Sequence, residues 1–154
     1  MNHISMIKVR DARPEDIDTV FDFICDLEKD IFDKRVFKKI YFDNLKNRNN
    51  IYFIAWDKKP VGYLSCHVQG LLHHCGQIAE IQEMYVVNDK RGLGIGKQLL
   101  DKLKVTAKKR KIKQIEVTSG IKRKRAHNFY LTEAFKFKSH KFVYRIEYAK
   151  ERTD

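Results

Sequence analysis

A glycine-rich turn between a hydrophobic strand and an amphipathic helix is the segment of this sequence best suited to chemistry. It runs from Met84 to Lys97 and reads MYVVNDKRGLGIGK. The N-terminus of a helix presents unpaired backbone N–H groups and a partial positive charge, and glycines let a ligand approach these groups closely. Arg91 and Lys97 add full positive charges beside the turn. The segment therefore predicts a site for a phosphate or a pyrophosphate.

The spacing within the turn argues against two common phosphate-binding motifs. A Walker A loop requires G-x-x-x-x-G-K-[ST], whereas Lys97 is followed by Gln98, which offers no hydroxyl for magnesium. The dinucleotide motif G-x-G-x-x-G requires a glycine at position 97 and a strand that opens a βαβ unit. The turn therefore indicates neither a nucleoside triphosphatase nor a dinucleotide-binding enzyme.

The pattern [Q/R]-x-x-G-x-[G/A] does fit the turn, through Arg91, Gly94 and Gly96. This pattern is the acyl-coenzyme A signature of the GNAT superfamily of N-acetyltransferases, which the chain resembles. Two further matches lie on either side, at Arg10-x-Ala12 and at His127-Asn128-Phe129-Tyr130. Within the superfamily the chain is most similar to the aminoalkylphosphonate N-acetyltransferases, through residues 67–74, 80–83 and 126–131.

The resemblance implies a single acetyltransferase domain over residues 1–154 with the α/β (α+β) GNAT fold. That fold has a central mixed, mostly antiparallel twisted sheet of about six to seven strands, flanked by four helices. Hydrophobic patterns along the chain predict one strand, two helices, three strands, a helix, a strand, a helix and two final strands. The final strands are predicted from the alternation of Phe142, Tyr144, Ile146 and Tyr148 with polar residues.

The resemblance also implies where acetyl-coenzyme A binds. In superfamily members the strand before the turn carries a bulge and splays from its neighbour, and the pantetheine arm lies in the gap. An amide N–H near Val86 would stabilise the thioester oxygen as negative charge develops on it. The cofactor-binding residues predicted in this way are Met84, Tyr85, Val86, Arg91, Gly92, Leu93, Gly94, Ile95, Gly96, Lys97 and Asn128.

Two side chains are candidates for the proton transfers. An amine must attack as the free base, although a pKa of about 10 keeps it mostly protonated at neutral pH. Glu80 is the candidate general base, and Glu83 is the alternative, on the opposite face of the strand unless a bulge reorients it. Tyr130 occupies the superfamily position of the acid that protonates the departing thiolate. Purely structural roles are the alternatives, an ion-paired or solvated carboxylate for Glu80 and core packing for Tyr130.

Histidines around position 70 resemble a metal-binding group, since His67, His73, His74 and Cys75 lie close in sequence. Structural zinc sites use ligand pairs at tighter and more regular spacing, so we assign no metal ligands. The resemblance to the aminoalkylphosphonate enzymes leaves open a divalent metal that bridges an anionic phosphonate and a carboxylate such as Glu80.

Composition limits the partners of the protein. Lys and Arg outnumber Asp and Glu by 32 to 20, and the net charge of +12 attracts anions of any kind. No nucleic-acid-recognition motif accompanies this charge, and no stretch approaches the roughly 20 apolar residues of a membrane helix.

We expect a cytoplasmic acyltransferase that acetylates a primary amine of a small molecule, with a homodimer as a further possibility. The alternatives are an acetyltransferase of a protein or peptide amine, and a basic nucleic-acid-binding domain without catalysis.

Overall fold

The structure is a computed structural model that describes residues 6–149. Its contacts divide the chain into two compact units, one ending at Val117 and the other beginning at Thr118. The described residues form a mixed five-stranded sheet and four α-helices. The predicted α/β fold class is confirmed.

The first unit contains the whole sheet and three of the helices. Its strands and helices are β1 (Lys8–Asp11), α1 (Ile17–Glu28), α2 (Lys34–Lys46), β2 (Asn50–Asp57), β3 (Lys59–Leu71), β4 (Gly76–Val86), α3 (Ile95–Lys109) and β5 (Gln114–Val117). The strands lie in chain order across the sheet and pair antiparallel, except for the parallel pair of β4 with β5. The sheet is therefore mixed and mostly antiparallel, as predicted.

Helices cover both faces of this sheet. Neighbouring residues of β2 point to opposite faces of the sheet. Ile54 packs with the helices α1 and α2. Phe53 faces α3, where Nζ of Lys102 lies 5.5 Å from the centroid of the Phe53 ring. The α3 side chains Leu99, Leu100 and Leu103 are fully buried. The core on the face of α1 and α2 consists of Ile17, Val20, Phe23, Ile24, Tyr41, Tyr52, Ile54, Tyr63 and Tyr85.

A β-bulge interrupts the pairing of β3 with β4. The register shifts between Ser65 and Cys66, which leaves Gln82 without a residue opposite it. An extra residue of this kind reverses the alternation of side chains beyond it. As a result Glu80 and Glu83 lie on the same face of β4, although they are three residues apart. This bulge provides the reorientation that the sequence left open.

The second unit contains α4 (Lys124–Thr132), the only helix that the structure describes after Thr118. Residues 136–149 form no strand, and Phe142, Tyr144 and Ile146 are exposed. This corrects the two strands predicted near the C-terminal end; the five strands of the described sheet are roughly consistent with the predicted six to seven. Alternating apolar residues are compatible with a strand, but a strand forms only where a neighbour satisfies its backbone groups.

The helix α4 ends in a Schellman motif that has alanine in the left-handed position. Phe135 donates to the Tyr130 carbonyl at 2.9 Å, Ala134 donates to the Leu131 carbonyl at 3.2 Å, and Ala134 has φ +68°. A residue with a Cβ is strained by about 1 kcal/mol in this conformation. Ala134→Gly is therefore expected to raise the free energy of unfolding by up to about 1 kcal/mol in chemical denaturation.

The matched control is Ala126→Gly, the same change at the third residue of α4. There glycine only adds conformational freedom to the unfolded chain, so the free energy of unfolding is expected to fall by about 1 kcal/mol. Shifts of the same sign in the two variants would contradict the assignment of strain to Ala134.

Candidate active site

Within the first unit, the strand that precedes the glycine turn lacks a strand partner on one side at its far end. Its parallel pairing with β5 ends at Ile81, opposite Val117, whereas β4 continues to Val86. Within the first unit, the last residues of β4 therefore pair with β3 alone. Beyond Ile81 this side of β4 has no strand partner within the first unit, and it is the side on which the superfamily resemblance predicts the pantetheine arm.

The hydrogen-bonding pattern tells which backbone groups of β4 point into this opening. Val87 donates to the Val61 carbonyl at 2.9 Å, and backbone groups along an antiparallel strand alternate in direction. Tyr85 therefore directs its N–H and C=O toward β3. Met84 and Val86 direct theirs to the open side, where an extended ligand could pair with them.

The glycine turn holds its backbone open at the start of α3. Gly92 and Gly94 have φ of +78° and +82°, a conformation that favours glycine, and a Cβ on either would have no neighbour within 4 Å. Gly94 is the N-cap of α3, and Ile95 anchors the helix with a side chain that is 1% exposed. The first N–H groups of a 15-residue helix thus lie beside an exposed turn, as binding of a pyrophosphate requires.

Arg91 and Lys97 both bond within the protein. Arg91 donates through Nε to the Val86 carbonyl at 2.9 Å, and its guanidinium lies 5.8 Å from the centroid of the Tyr85 ring. Lys97 donates to the Asp101 carboxylate at 2.8 Å, one helical turn further on. Arg91 thus ties the turn to the open end of β4.

The two candidate carboxylates have different surroundings. Ser65 donates through its hydroxyl to the Glu83 carboxylate and accepts the Glu83 backbone N–H at 3.0 Å. Burial raises the pKa of Glu83, the Ser65 bond lowers it and the Glu28 carboxylate raises it, with a net increase. Glu80 lies directly opposite His67 of β3. Glu83 is therefore tied to a neighbouring side chain, whereas Glu80 lies next to a histidine.

His67 belongs to a polar chain that the sequence does not reveal. Its Nε2 lies 2.8 Å from Tyr52 Oη, and Asn44 of α2 donates to the same oxygen at 2.9 Å. Burial lowers the pKa of His67, and the opposing effect of the Glu80 carboxylate is smaller. Sequence patterns group His67 with the histidines that follow it. Only the register of β2 with β3 brings it next to Tyr52.

Tyr130 and Asn128 lie on α4 in the second unit. The half-buried Tyr130 ring contacts Phe129 and Phe135, with centroids 5.3 and 5.4 Å away. Burial raises the pKa of Tyr130 to about 12, although Arg123 acts in the opposite direction. The phenol is therefore protonated at neutral pH, as a general acid must be. Asn128 is exposed on the same helix.

The histidines around position 70, to which the sequence assigns no metal, do not form one cluster. His73 and His74 are adjacent, with ring centroids 4.3 Å apart, and His74 lies 3.6 Å from the Glu116 carboxylate, while His67 bonds Tyr52. Among residues 6–149, no group of three or more His, Cys, Asp or Glu side chains is placed to hold a metal ion. The side chains present therefore do not form a ready metal site.

The chain belongs to the acetyltransferase (GNAT) family, whose model matches residues 17–137. It is an N-acetyltransferase of this family, whose members use acetyl-coenzyme A as co-substrate. An aminoalkylphosphonate N-acetyltransferase of Salmonella typhimurium is 38% identical over 137 residues, which are 88% of this chain and 89% of that protein. An uncharacterised N-acetyltransferase of Methanocaldococcus jannaschii is 31% identical over 145 residues, 89% of this chain and 64% of that protein.

Solved structures show the same fold. A transcriptional regulator from Bacillus halodurans superimposes with a TM-score of 0.83 at 22% identity, covering 92% of this chain and 100% of that one. An aminoglycoside acetyltransferase from an uncultured soil metagenomic sample gives a TM-score of 0.76 at 19% identity, covering 92% of this chain and 97% of that one.

None of the helices described among residues 6–149 has the length and apolar character of a membrane-spanning segment.

Proposed function

We propose that this enzyme transfers the acetyl group of acetyl-coenzyme A to the primary amine of a small molecule, with an aminoalkylphosphonate as the first candidate. The observation that carries the proposal is the open end of β4, which leads directly into the glycine turn at the start of α3. The acceptor class is supported by the 38% identity to the aminoalkylphosphonate N-acetyltransferase over most of both chains.

Both units would form one catalytic domain, because the family match over residues 17–137 crosses the boundary at Val117. The pantetheine arm would lie along the open side of β4, against the backbone of Met84 and Val86. The pyrophosphate would lie at the turn from Arg91 to Lys97, with Asn128 of α4 as a further contact. A cytoplasmic location and a homodimer remain predictions from the sequence.

The reaction requires three contributions from the chain. Glu80 takes a proton from the substrate ammonium, directly or through water, and the free amine attacks the thioester carbonyl carbon. The Val86 N–H stabilises the negative charge that develops on the carbonyl oxygen. The C–S bond then breaks, Tyr130 gives its proton to the departing thiolate, and the nitrogen of the new amide releases its surplus proton to solvent, from which Tyr130 is protonated again. Because the pKa of Tyr130 is raised to about 12, the phenol carries this proton at neutral pH.

The test compares acetyl-coenzyme A turnover with aminoalkylphosphonates, polyamines and peptides, each with and without a chelator. Release of the coenzyme A thiol and the mass of the acetylated product are measured together. Aminoalkylphosphonates are expected to react fastest. Reaction with peptides alone would contradict the small-molecule acceptor, and binding of duplex DNA without acetyl-coenzyme A binding would contradict the enzyme assignment. Loss of turnover with the chelator, restored by a divalent cation, would add a metal to the site.

A further inference from the structure

Asn44, Tyr52 and His67 form a hydrogen-bonded chain that links α2, β2 and β3 beside the candidate base. The distances are 2.9 Å from Asn44 Nδ2 to Tyr52 Oη and 2.8 Å from Tyr52 Oη to His67 Nε2. The rings of Tyr52 and His67 stack with centroids 5.8 Å apart and an interplanar angle of 21°. Tyr52 is 8% exposed, so this chain holds the imidazole from the core side.

The direction of the protons in this chain follows from the groups at its ends. Tyr52 Oη already accepts the Asn44 N–H, so its single proton is directed to the remaining partner, His67 Nε2. Burial raises the pKa of Tyr52 to about 12, which keeps the phenol protonated. A neutral imidazole that accepts at Nε2 carries its own proton at Nδ1.

The other side of His67 borders on Glu80. The two residues are directly opposite each other in the antiparallel pair of β3 with β4, so their side chains leave the same face as neighbours. Cβ atoms of such pairs are about 5 Å apart. Because β3 lies between β2 and β4, the imidazole has Tyr52 on one side and Glu80 on the other.

We propose that His67 is a positioning residue: Tyr52 fixes its tautomer so that the Nδ1–H donates toward the Glu80 carboxylate and orients it for the acceptor amine. The inference rests on the proposed function, in which Glu80 takes the proton of the substrate ammonium. The imidazole remains neutral throughout and exchanges no proton with the substrate. Its contribution is to hold one orientation of the carboxylate that would otherwise rotate in solvent.

Nitrogen-15 NMR of the histidine side chains tests the tautomer without any turnover. In the full chain, His67 is expected to show a protonated Nδ1 and an unprotonated Nε2. Tyr52→Phe removes the donor to Nε2 and is expected to give a mixture of tautomers. The matched control is Tyr41→Phe, because the hydroxyl of the buried Tyr41 donates instead to the Arg13 carbonyl at 2.7 Å. A protonated Nε2 in the wild type would overturn the proposal.

Kinetics of three variants test the positioning role. The amide nitrogen of asparagine is bonded to Cγ, like Nδ1 of histidine, so His67→Asn keeps a donor at that position and is expected to retain wild-type kcat. His67→Leu and Tyr52→Phe are expected to lower kcat about tenfold, the scale of one hydrogen bond, with the KM for acetyl-coenzyme A unchanged.

Two kinetic outcomes would overturn the positioning role of His67 and leave the proposed function intact. Wild-type kcat in His67→Leu would show that the imidazole has no role, and an equal loss in His67→Asn and His67→Leu would show that a donor at Nδ1 is not what matters. By contrast, a wild-type enzyme that acetylates no amine would refute the proposed function, while the NMR experiment would still decide the tautomer.

Discussion

Glu80→Gln is expected to lower kcat for N-acetylation about a hundredfold at pH 7, with little change in the KM for acetyl-coenzyme A. Glutamine has nearly the same shape as glutamate but cannot take a proton, and a general base contributes at least about a hundredfold. The loss is expected to shrink as the pH approaches the amine pKa of about 10, because the substrate is then supplied as the free base. Steady-state rates of thiol release between pH 6 and about 10 measure both effects.

The matched control is Glu83→Gln, the same change on the same face of β4. The Glu83 carboxylate is bonded to Ser65, and we expect its replacement to cost less than about tenfold in kcat. A hundredfold loss in Glu83→Gln with wild-type kcat in Glu80→Gln would assign the base to Glu83. Burial raises the pKa of Glu83, and a carboxylate with a higher pKa is a stronger base, so this role would be chemically reasonable for Glu83.

Tyr130→Phe is expected to lower kcat about a hundredfold by removing the proton donor for the departing thiolate. The change keeps the ring, and therefore the contacts with Phe129 and Phe135, so a purely structural tyrosine would tolerate it. Tyr144→Phe provides the control, because Tyr144 is an exposed tyrosine of the same unit. Unchanged turnover in Tyr130→Phe, measured by thiol release, would exclude Tyr130 as the acid.

The helices and central strands could be predicted from the sequence because their burial follows a regular period. The second helix is predicted from apolar residues between Val36 and Leu45 and spans Lys34–Lys46. The strand that carries Glu80 is predicted over 78–87 and spans Gly76–Val86. In both cases the apolar residues indicate the element, because α2 buries one face against the core and β4, which helices cover on both faces, buries apolar side chains such as Ile78 and Ala79 on either side.

The details of the candidate site depend on partners that periodicity does not specify. A glutamine such as Gln82 does not by itself indicate a β-bulge. Yet the bulge at this position decides on which face of β4 the Glu83 side chain lies. The contact of Tyr52 with His67 joins residues 15 positions apart, and it exists only in one register of β2 with β3. Near the C-terminal end the opposite occurs: the alternation of apolar and polar residues predicts a strand, but none forms there among the described residues.

Calorimetric titration of the wild type and of Gly94→Val with acetyl-coenzyme A tests the central claim most directly. Gly94 has φ +82°, and a branched side chain there would both strain the turn and cover the N–H groups that we propose as the pyrophosphate site. Acetylpantetheine lacks the pyrophosphate and provides the control ligand, with equal weak binding expected for both proteins.

We predict that the wild type binds acetyl-coenzyme A and that Gly94→Val binds it at least about tenfold more weakly. Equal affinity of the two proteins for acetyl-coenzyme A, or absence of binding by the wild type, would contradict a pyrophosphate site in the glycine turn.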